Sequence, residues 1–454
     1  MSRTTHDAIR EALRGVPGGA AGTRIEVTID PNVKRAPFGV VTDRGLPAGL
    51  PPHTPNQPQY DARSTEFSDD EIIVTRLPPG EEDANSTMCM VSGRLARKVV
   101  KATSGHAPVP QPIPATFCIR EAPGKGLGMF ATRDILAGEL IVAERPLLVT
   151  PAGIPARRTL PEHLTQAQVS QVLLADAERE YEVLLEKTAP ALRDAFMALV
   201  DSHRFDGSGP ISGRIRTNGF GADDMTDPEK PGYAMGANAY SLVCDNLSRM
   251  NHNCAPNAPR YFHVSTFSMQ VRAIRAIKNG EEITTAYCET LVPFVARKAE
   301  LARYDVKCTC SLCINPSQSD PLLAYCKKVR DRTPRASGNC DRGWYTDFSV
   351  PESTAVKSLL ADLAAIVKVG QEFESSYVFT LFQLMKTYAA RGDVTNARAY
   401  AKQYAVWHLA VHGKEVDDKQ VESAFGMVAV AEVVLRMKGK MKGKMAGGKA
   451  NAAK

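Results

Sequence analysis

No apolar run in this 454-residue chain approaches the ~18 residues that a membrane-spanning helix needs, and the longest, such as 427–435, fall far short of it. An integral membrane protein is therefore not expected. Residues 1–16 have no apolar stretch either, because Arg3, Asp7, Arg10, Glu11 and Arg14 interrupt them, so no secretory signal is read there. Without an oxidising compartment, the ten cysteines read as buried thiols plus a metal site rather than as a disulfide framework. Acids are missing from 437–454, whose six Lys account for the whole formal charge of +6 and leave the rest of the chain neutral. That Lys/Gly/Met/Ala stretch is expected to be a solvated, disordered tail, with an acidic partner such as nucleic acid or chromatin as the alternative. What is present, 43% hydrophobic and 23% charged residues, excludes a wholly disordered chain. The length suggests about two or three domains.

Texture divides the chain into four stretches. Residues 1–114 are rich in Pro, Gly and polar side chains and are expected to be mostly poorly ordered linker, with strand-like runs at 23–29 and 71–77 that could pack at a sheet edge. From Thr116 the pattern becomes β: 117–120, 129–131, 139–149 and 261–277 read as strands, within a domain placed at 115–320. An insert at about 151–237 has helical apolar spacing over 160–200, as in Val169, Val172, Leu173, Leu184 and Phe196. Residues 321–436 are expected to be all-helical, with helices at 354–369, 375–390, 394–412 and 417–437 stopped by Gly370, Gly392, Gly413 and Gly439. Ala397, Tyr400, Ala401 and Tyr404 share one helix face, a spacing that resembles a tetratricopeptide helix pair and fits an ordinary bundle equally well. The fold class is α+β.

Chemistry concentrates in three places. Asn251-His252-Asn253-Cys254-Ala255-Pro256-Asn257 is followed by Gly280-Glu281-Glu282-Ile283-Thr284-Thr285-Ala286-Tyr287; alone, either reads as a structural polar pair or a strand-end aromatic. Cys308-Thr309-Cys310-Ser311-Leu312-Cys313 brings three thiolates into one tight loop, a spacing suited to tetrahedral zinc. Its fourth ligand is open among Cys254, Cys326, Cys340 and a histidine. The turn Gly124-Lys125-Gly126-Leu127-Gly128 lets backbone approach a ligand closely, and it opens a β domain rather than a strand-turn-helix unit, which argues against a dinucleotide fingerprint.

These motifs, in this order, resemble the SET domain of protein lysine methyltransferases with its post-SET zinc loop at 308–313, over roughly 116–316. Thr217-Asn218-Gly219-Phe220 and Arg297-Lys298-Ala299-Glu300-Leu301 are similar to the SET- and MYND-domain subfamily, which also carries a C-terminal helical domain. No cysteine lies between Cys118 and Cys244, so the MYND finger is absent. The resemblance implies a β-rich core with a pseudoknot between the Asn-His segment and the C-terminal strand. It implies S-adenosylmethionine as cofactor, matched by Lys125, Gly126, Leu127, Asn251, His252 and Tyr287, with Tyr287 catalytic and Phe220 a wall of the lysine channel. Cys254 then joins Cys308, Cys310 and Cys313 around a structural zinc. Val306 stands where the subfamily often has an aromatic over the adenine, with Tyr304 nearby. The activity implied is methylation of a lysine on a protein, histone or other, by a monomer in nucleus or cytoplasm; the alternative is an inactive SET scaffold that recruits partners through its helical domain.

Overall fold

A hairpin opens the regular structure. β1 (Ile72–Leu77) and β2 (Thr87–Ser92) pair antiparallel, with Ile72 opposite Ser92 and Leu77 opposite Thr87. Ser92 then caps α1 (Gly93–Thr103), its Oγ accepting the Leu95 amide at 3.2 Å, and Leu95, Ala96 and Val99 turn inward. The computed structural model describes residues 46–416 apart from 56–59, 65, 82–84, 106, 154–157, 205, 223–224, 226–239, 333–351 and 391–392. The strand expected at 23–29, the helix expected at 417–437, the Lys-rich 437–454 and Cys340 lie outside the described residues. Inside them, the strand-like run expected at 71–77 is β1, at the edge of its sheet, whereas the expectation of poorly ordered linker fails for 87–103, because Cys89, Val91 and Leu95 share one core with Ile73, Leu77, Met129, Ile141 and Phe220. Thr87 to Val91 of β2 are all buried, so that strand lacks the alternation that marks a half-exposed one, and Pro78-Pro79-Gly80 lends the preceding turn loop texture.

β3 (Phe117–Ala122) and β4 (Gly126–Ala131) form a second hairpin, followed by β5 (Leu140–Glu144) and β6 (Leu148–Pro151). The insert supplies α2 (Gln166–Glu186), α3 (Pro190–Met197) and α4 (Pro210–Asn218), and leads into β7 (Gly219–Gly221) and β8 (Tyr240–Val243). Thr165 and Gln168 close a capping box at the start of α2. Glu178 of α2 receives the Ile211 and Ser212 amides at 2.8 and 2.7 Å, placing a carboxylate at the N-terminus of α4, the helix that delivers Phe220.

The stretch 261–277, expected as continuous strand, folds instead as a hairpin of β9 (Arg260–His263) and β10 (Ser268–Arg272). Phe267 takes a left-handed φ of 48° at the turn while its ring, fully buried, meets Phe262 edge-on at 5.3 Å. Apolar burial therefore holds a backbone conformation that composition would not announce. With β11 (Glu282–Ile283), the strands make three sheets in the orders β1-β2-β6-β8-β7, β5-β10-β9 and β11-β4-β3.

Helices complete the described chain: α5 (Phe294–Leu301), α6 (Ser311–Ile314), α7 (Pro316–Arg332), α8 (Glu352–Lys368), α9 (Ser375–Ala390) and α10 (Val394–His412). The last three match the expected 354–369, 375–390 and 394–412 closely. α7 falls mostly in the stretch expected to be helical but has no counterpart among the four helices delimited there, because Pro321 stands inside it and an interior proline ordinarily breaks a helix. Its Leu323, Cys326 and Val329 pack with Ile366 and Val369 of the following helical region against Cys254, Leu312 and Cys313. Among the described residues, no helix is long and apolar enough to cross a membrane.

Candidate active site and cysteine centre

Segments far apart in sequence meet here. Residues 251–258 run beside 282–287, with the Asn253 amide donating to Thr285 O and the Thr285 amide to Asn251 O, both at 3.0 Å. Asn257, buried, staples the crossing: its Oδ1 accepts the Thr284 amide at 2.8 Å and its Nδ2 donates to Glu282 O at 2.9 Å. The chain enters this crossing at a fixed angle because Glu144 of β5 accepts the Asn246 and Leu247 amides at 3.1 and 2.7 Å. Burial raises the Glu144 carboxyl above its ordinary value, and those amides oppose the rise.

The glycine turn lies along the same crossing. Gly124 and Gly126 have φ of +72° and +74°, and a Cβ on either would meet nothing within 4 Å, so the turn faces open space. A Cβ on Gly128 would instead press on Ala122, Asn251 and Glu282 at 3.0 Å each. Glu282 ties the turn to the Asn-His segment: Oε2 meets Lys125 Nζ at 2.6 Å, and Oε1 accepts from Asn251 Nδ2 at 2.8 Å. Asn251 Nδ2 also reaches Leu127 O at 3.1 Å. Lys125, Leu127 and Asn251 are thus brought to one place around the Glu282 carboxylate, a residue whose part in the site the sequence did not reveal.

His252 is buried behind this surface. Its Nδ1 accepts the Tyr287 amide at 3.0 Å, so the ring proton sits on Nε2, which stands 3.2 Å from Cys254 Sγ. Burial, helped by the nearby Arg297 and Lys125 charges, lowers its pKa to about 4, and the ring is neutral at ordinary pH. The half-buried Tyr287 donates its hydroxyl to Met250 O at 2.5 Å. Burial raises its pKa further above the ordinary 10.0, so it is a phenol with a positioned oxygen rather than a base. Tyr304, noted from sequence only as a neighbour of Val306, packs edge-on against Tyr287 with ring centroids 5.4 Å apart. Phe220 is joined instead to the 285–286 segment just before Tyr287, through Arg260. The guanidinium lies 4.8 Å from the Phe220 centroid and donates to Thr285 Oγ1 at 2.8 Å.

Sulfur occupies the far side of His252. The Sγ atoms of Cys254, Cys308, Cys310 and Cys313 all lie within 4.8 Å of one another, with Cys254 and Cys313 at 3.5 Å. Thiolates bound about 2.3 Å from a tetrahedral zinc would stand about 3.8 Å apart, so the set fits that ion. Hydrogen bonding with the thiols of Cys288, Cys308 and Cys310, and burial, push the Cys254 thiol well above its ordinary value; a central cation would reverse this. Cys326, a rival fourth ligand in the sequence, is buried in the helical interface outside the cluster. Arg297, fully buried, reaches Leu312 O at 3.3 Å and Cys313 Sγ at 3.9 Å and pairs with Asp320, so a cation backs the thiolates. Gln371 donates to Cys254 O at 2.7 Å, fastening the helical region to the same centre.

A family model described as the SET domain matches residues 126–288. The chain is 31% identical over 193 residues to the histone-lysine N-methyltransferase set5 of Schizosaccharomyces pombe, covering 42% of this chain and 48% of that one. It is 25% identical over 280 residues to the N-lysine methyltransferase SMYD2 of Homo sapiens, covering 57% and 61%. The chain thus spans about half the length of the curated relatives it matches. Among solved structures, the SET domain of LSMT bound to lysine and AdoHcy aligns over 78% of this chain and 92% of that one at 14% identity, with a TM-score of 0.27 too low to argue from. On the sequence matches, the chain carries a SET domain and is related to the lysine methyltransferases of that kind, SMYD proteins among them.

Proposed function

We propose that the chain is a protein-lysine N-methyltransferase that uses S-adenosylmethionine, with a structural zinc in the four-cysteine centre. The observation that carries the reading is Tyr287: its hydroxyl is fixed on Met250 O and its ring on Tyr304, at the point where the open glycine turn, His252 and the crossing segments converge. The turn fits the cofactor because its backbone is uncovered at Gly124 and Gly126 while Asn251 and Lys125 stand beside it. When bound, S-adenosylmethionine would supply an electrophilic methyl group.

This chain's own residues meet the other demand, an uncharged nucleophile. A free lysine amine, with a pKa near ~10.4, is almost wholly protonated at neutral pH. Desolvation beside the paired Tyr287 and Tyr304 rings, with Phe220 as the further channel wall that the resemblance implies, would disfavour the ammonium. The Arg260 guanidinium over Phe220 disfavours it again by like charge. Tyr287, kept as a phenol, then orients the amine and holds it in line. His252 holds the segment that carries Tyr287, and the zinc would hold the segment that carries His252. The helical pair α9 and α10 is read as tetratricopeptide-like, with Tyr388 stacked on Tyr400 at 5.6 Å, and the location as nucleus or cytoplasm.

The test is transfer of labelled methyl from S-adenosylmethionine to a whole-cell protein extract, comparing wild type with Tyr287→Phe. Label on discrete proteins that is lost in the variant supports the enzyme. Equal label from both would remove Tyr287 from the chemistry, and none from a folded wild type would leave an inactive scaffold.

A further inference from the structure

One side chain of the helical region reaches both segments that cross at the site. Gln371 lies in the loop between α8 and α9 and is fully buried. Its Nε2 donates to Cys254 O at 2.7 Å and to Val369 O at 3.3 Å, and its Oε1 accepts from Thr290 Oγ1, also buried, at 2.7 Å. Cys254 stands two residues after the histidine that holds the Tyr287 amide, and Thr290 stands three after Tyr287. Residues 252–254 and 287–290 are thus tied twice, by His252 to the Tyr287 amide and again through Gln371. The loop that presents Gln371 is itself fixed. Gly370 has a φ of +65°, and a Cβ there would stand 2.6 Å from the Ala255 Cβ, so the loop lies directly on the residue after Cys254. Arg275 donates to Ala255 O and Pro256 O at 2.9 and 2.8 Å and pairs with Glu372 at 3.5 Å. Behind the loop, Trp407 Nε1 of α10 donates to Glu372 O at 2.9 Å. A buried amide with donor and acceptor both engaged cannot shift without breaking both contacts away from water.

We propose that Gln371 is a positioning residue for methyl transfer: it sets the spacing between the segment of His252 and that of Tyr287, and through it the helical region becomes part of the active site. The proposal rests on the methyltransferase reading above. Gln371 acts through Tyr287, whose hydroxyl must hold the amine in line, and a small misplacement there is costly to the rate. The glycine turn and Asn251 are held by Glu282 instead, so loss of Gln371 should slow transfer and leave cofactor affinity in place.

The experiment uses the full zinc-loaded chain and compares Gln371→Met, which keeps the volume and removes both polar ends, with Thr290→Val and Thr290→Ser. Rates of labelled methyl transfer to a whole-cell protein extract are taken at saturating S-adenosylmethionine and divided by the cofactor sites counted by calorimetry. Hydrogen exchange of 282–290 is followed in parallel by mass spectrometry. Gln371→Met should lower the rate per site about 10- to 100-fold while the KM for S-adenosylmethionine stays within about twofold of wild type. Exchange should quicken in 282–290 while the β9–β10 hairpin keeps its protection. Thr290→Ser, which retains the hydroxyl, should keep the rate that Thr290→Val loses, and adding Thr290→Val to Gln371→Met should cost little more. An unchanged rate per site in Gln371→Met, or a loss explained wholly by missing cofactor sites, would overturn the assignment; should that variant not fold, the Thr290 pair decides. A folded wild type that transfers no methyl defeats the methyltransferase reading instead, and exchange at 282–290 then decides whether Gln371 holds Tyr287.

Discussion

The two sides of His252 are built on opposite principles. Toward the glycine turn, exposed backbone and half-exposed polar side chains are held by few bonds, above all those of Glu282 to Lys125 and Asn251. Toward the cysteines, the same histidine faces buried sulfur backed by a buried arginine and by packed helices. The open side can admit a ligand because it is thinly tied, and it keeps its shape because the closed side is not. Tyr287 hangs between them, its amide on His252 and its hydroxyl on Met250.

If that contrast is right, the closed side should fail hardest. Cys308→Ser or chelation should empty the metal centre and cost several kcal/mol of stability, as a structural zinc carries folding free energy directly. Metal analysis and thermal unfolding read both effects together. Removing the hydroxyl between the two sides should be selective: Tyr287→Phe is expected to lower methyl transfer about 10²–10³-fold. Its melting temperature and cofactor affinity, by unfolding and calorimetry, should stay close to wild type.

Farther out on the closed side, burial first and Glu289 second raise the Glu374 carboxyl to about 7 from the ordinary 4.5, beside Arg330 and Thr290. A carboxyl that holds its proton more tightly when folded contributes most below pH 4.5, and that contribution is lost as pH rises to about 7. Stability measured by denaturant across this window should therefore fall with pH from this group, and Glu374→Gln should flatten the slope. The smallest effect belongs to the open side. Glu282→Gln should weaken cofactor binding about tenfold, less at high salt, while changing stability by no more than about 1 kcal/mol, because Lys125 is well exposed.

How much of this could be read from the chain depends on where each partner sits along it. Asn251 to Asn257, Gly280 to Tyr287 and Cys308 to Cys313 are short runs in which chemistry and spacing travel together, and the structure brings their side chains into one region. Glu282 pairs with a lysine 157 residues away, and Gln371 reaches a carbonyl 117 residues back, so no local pattern could reveal either. β2 was hidden for a different reason: Thr87 to Val91 are all buried, and a strand covered on both faces has no alternating polarity to display. α7 was hidden by Pro321, and Phe267 by a turn whose aromatic ring stays in the core. The motifs of the candidate site were local and legible, whereas the contacts that hold them together are long-range.

The most direct test of the account is to hydrolyse the proteins labelled by the wild-type chain to amino acids and identify the labelled species. Methyl-lysine, absent from the Tyr287→Phe reaction, is the predicted result. Label on arginine, on a carboxyl or on no protein at all would contradict it.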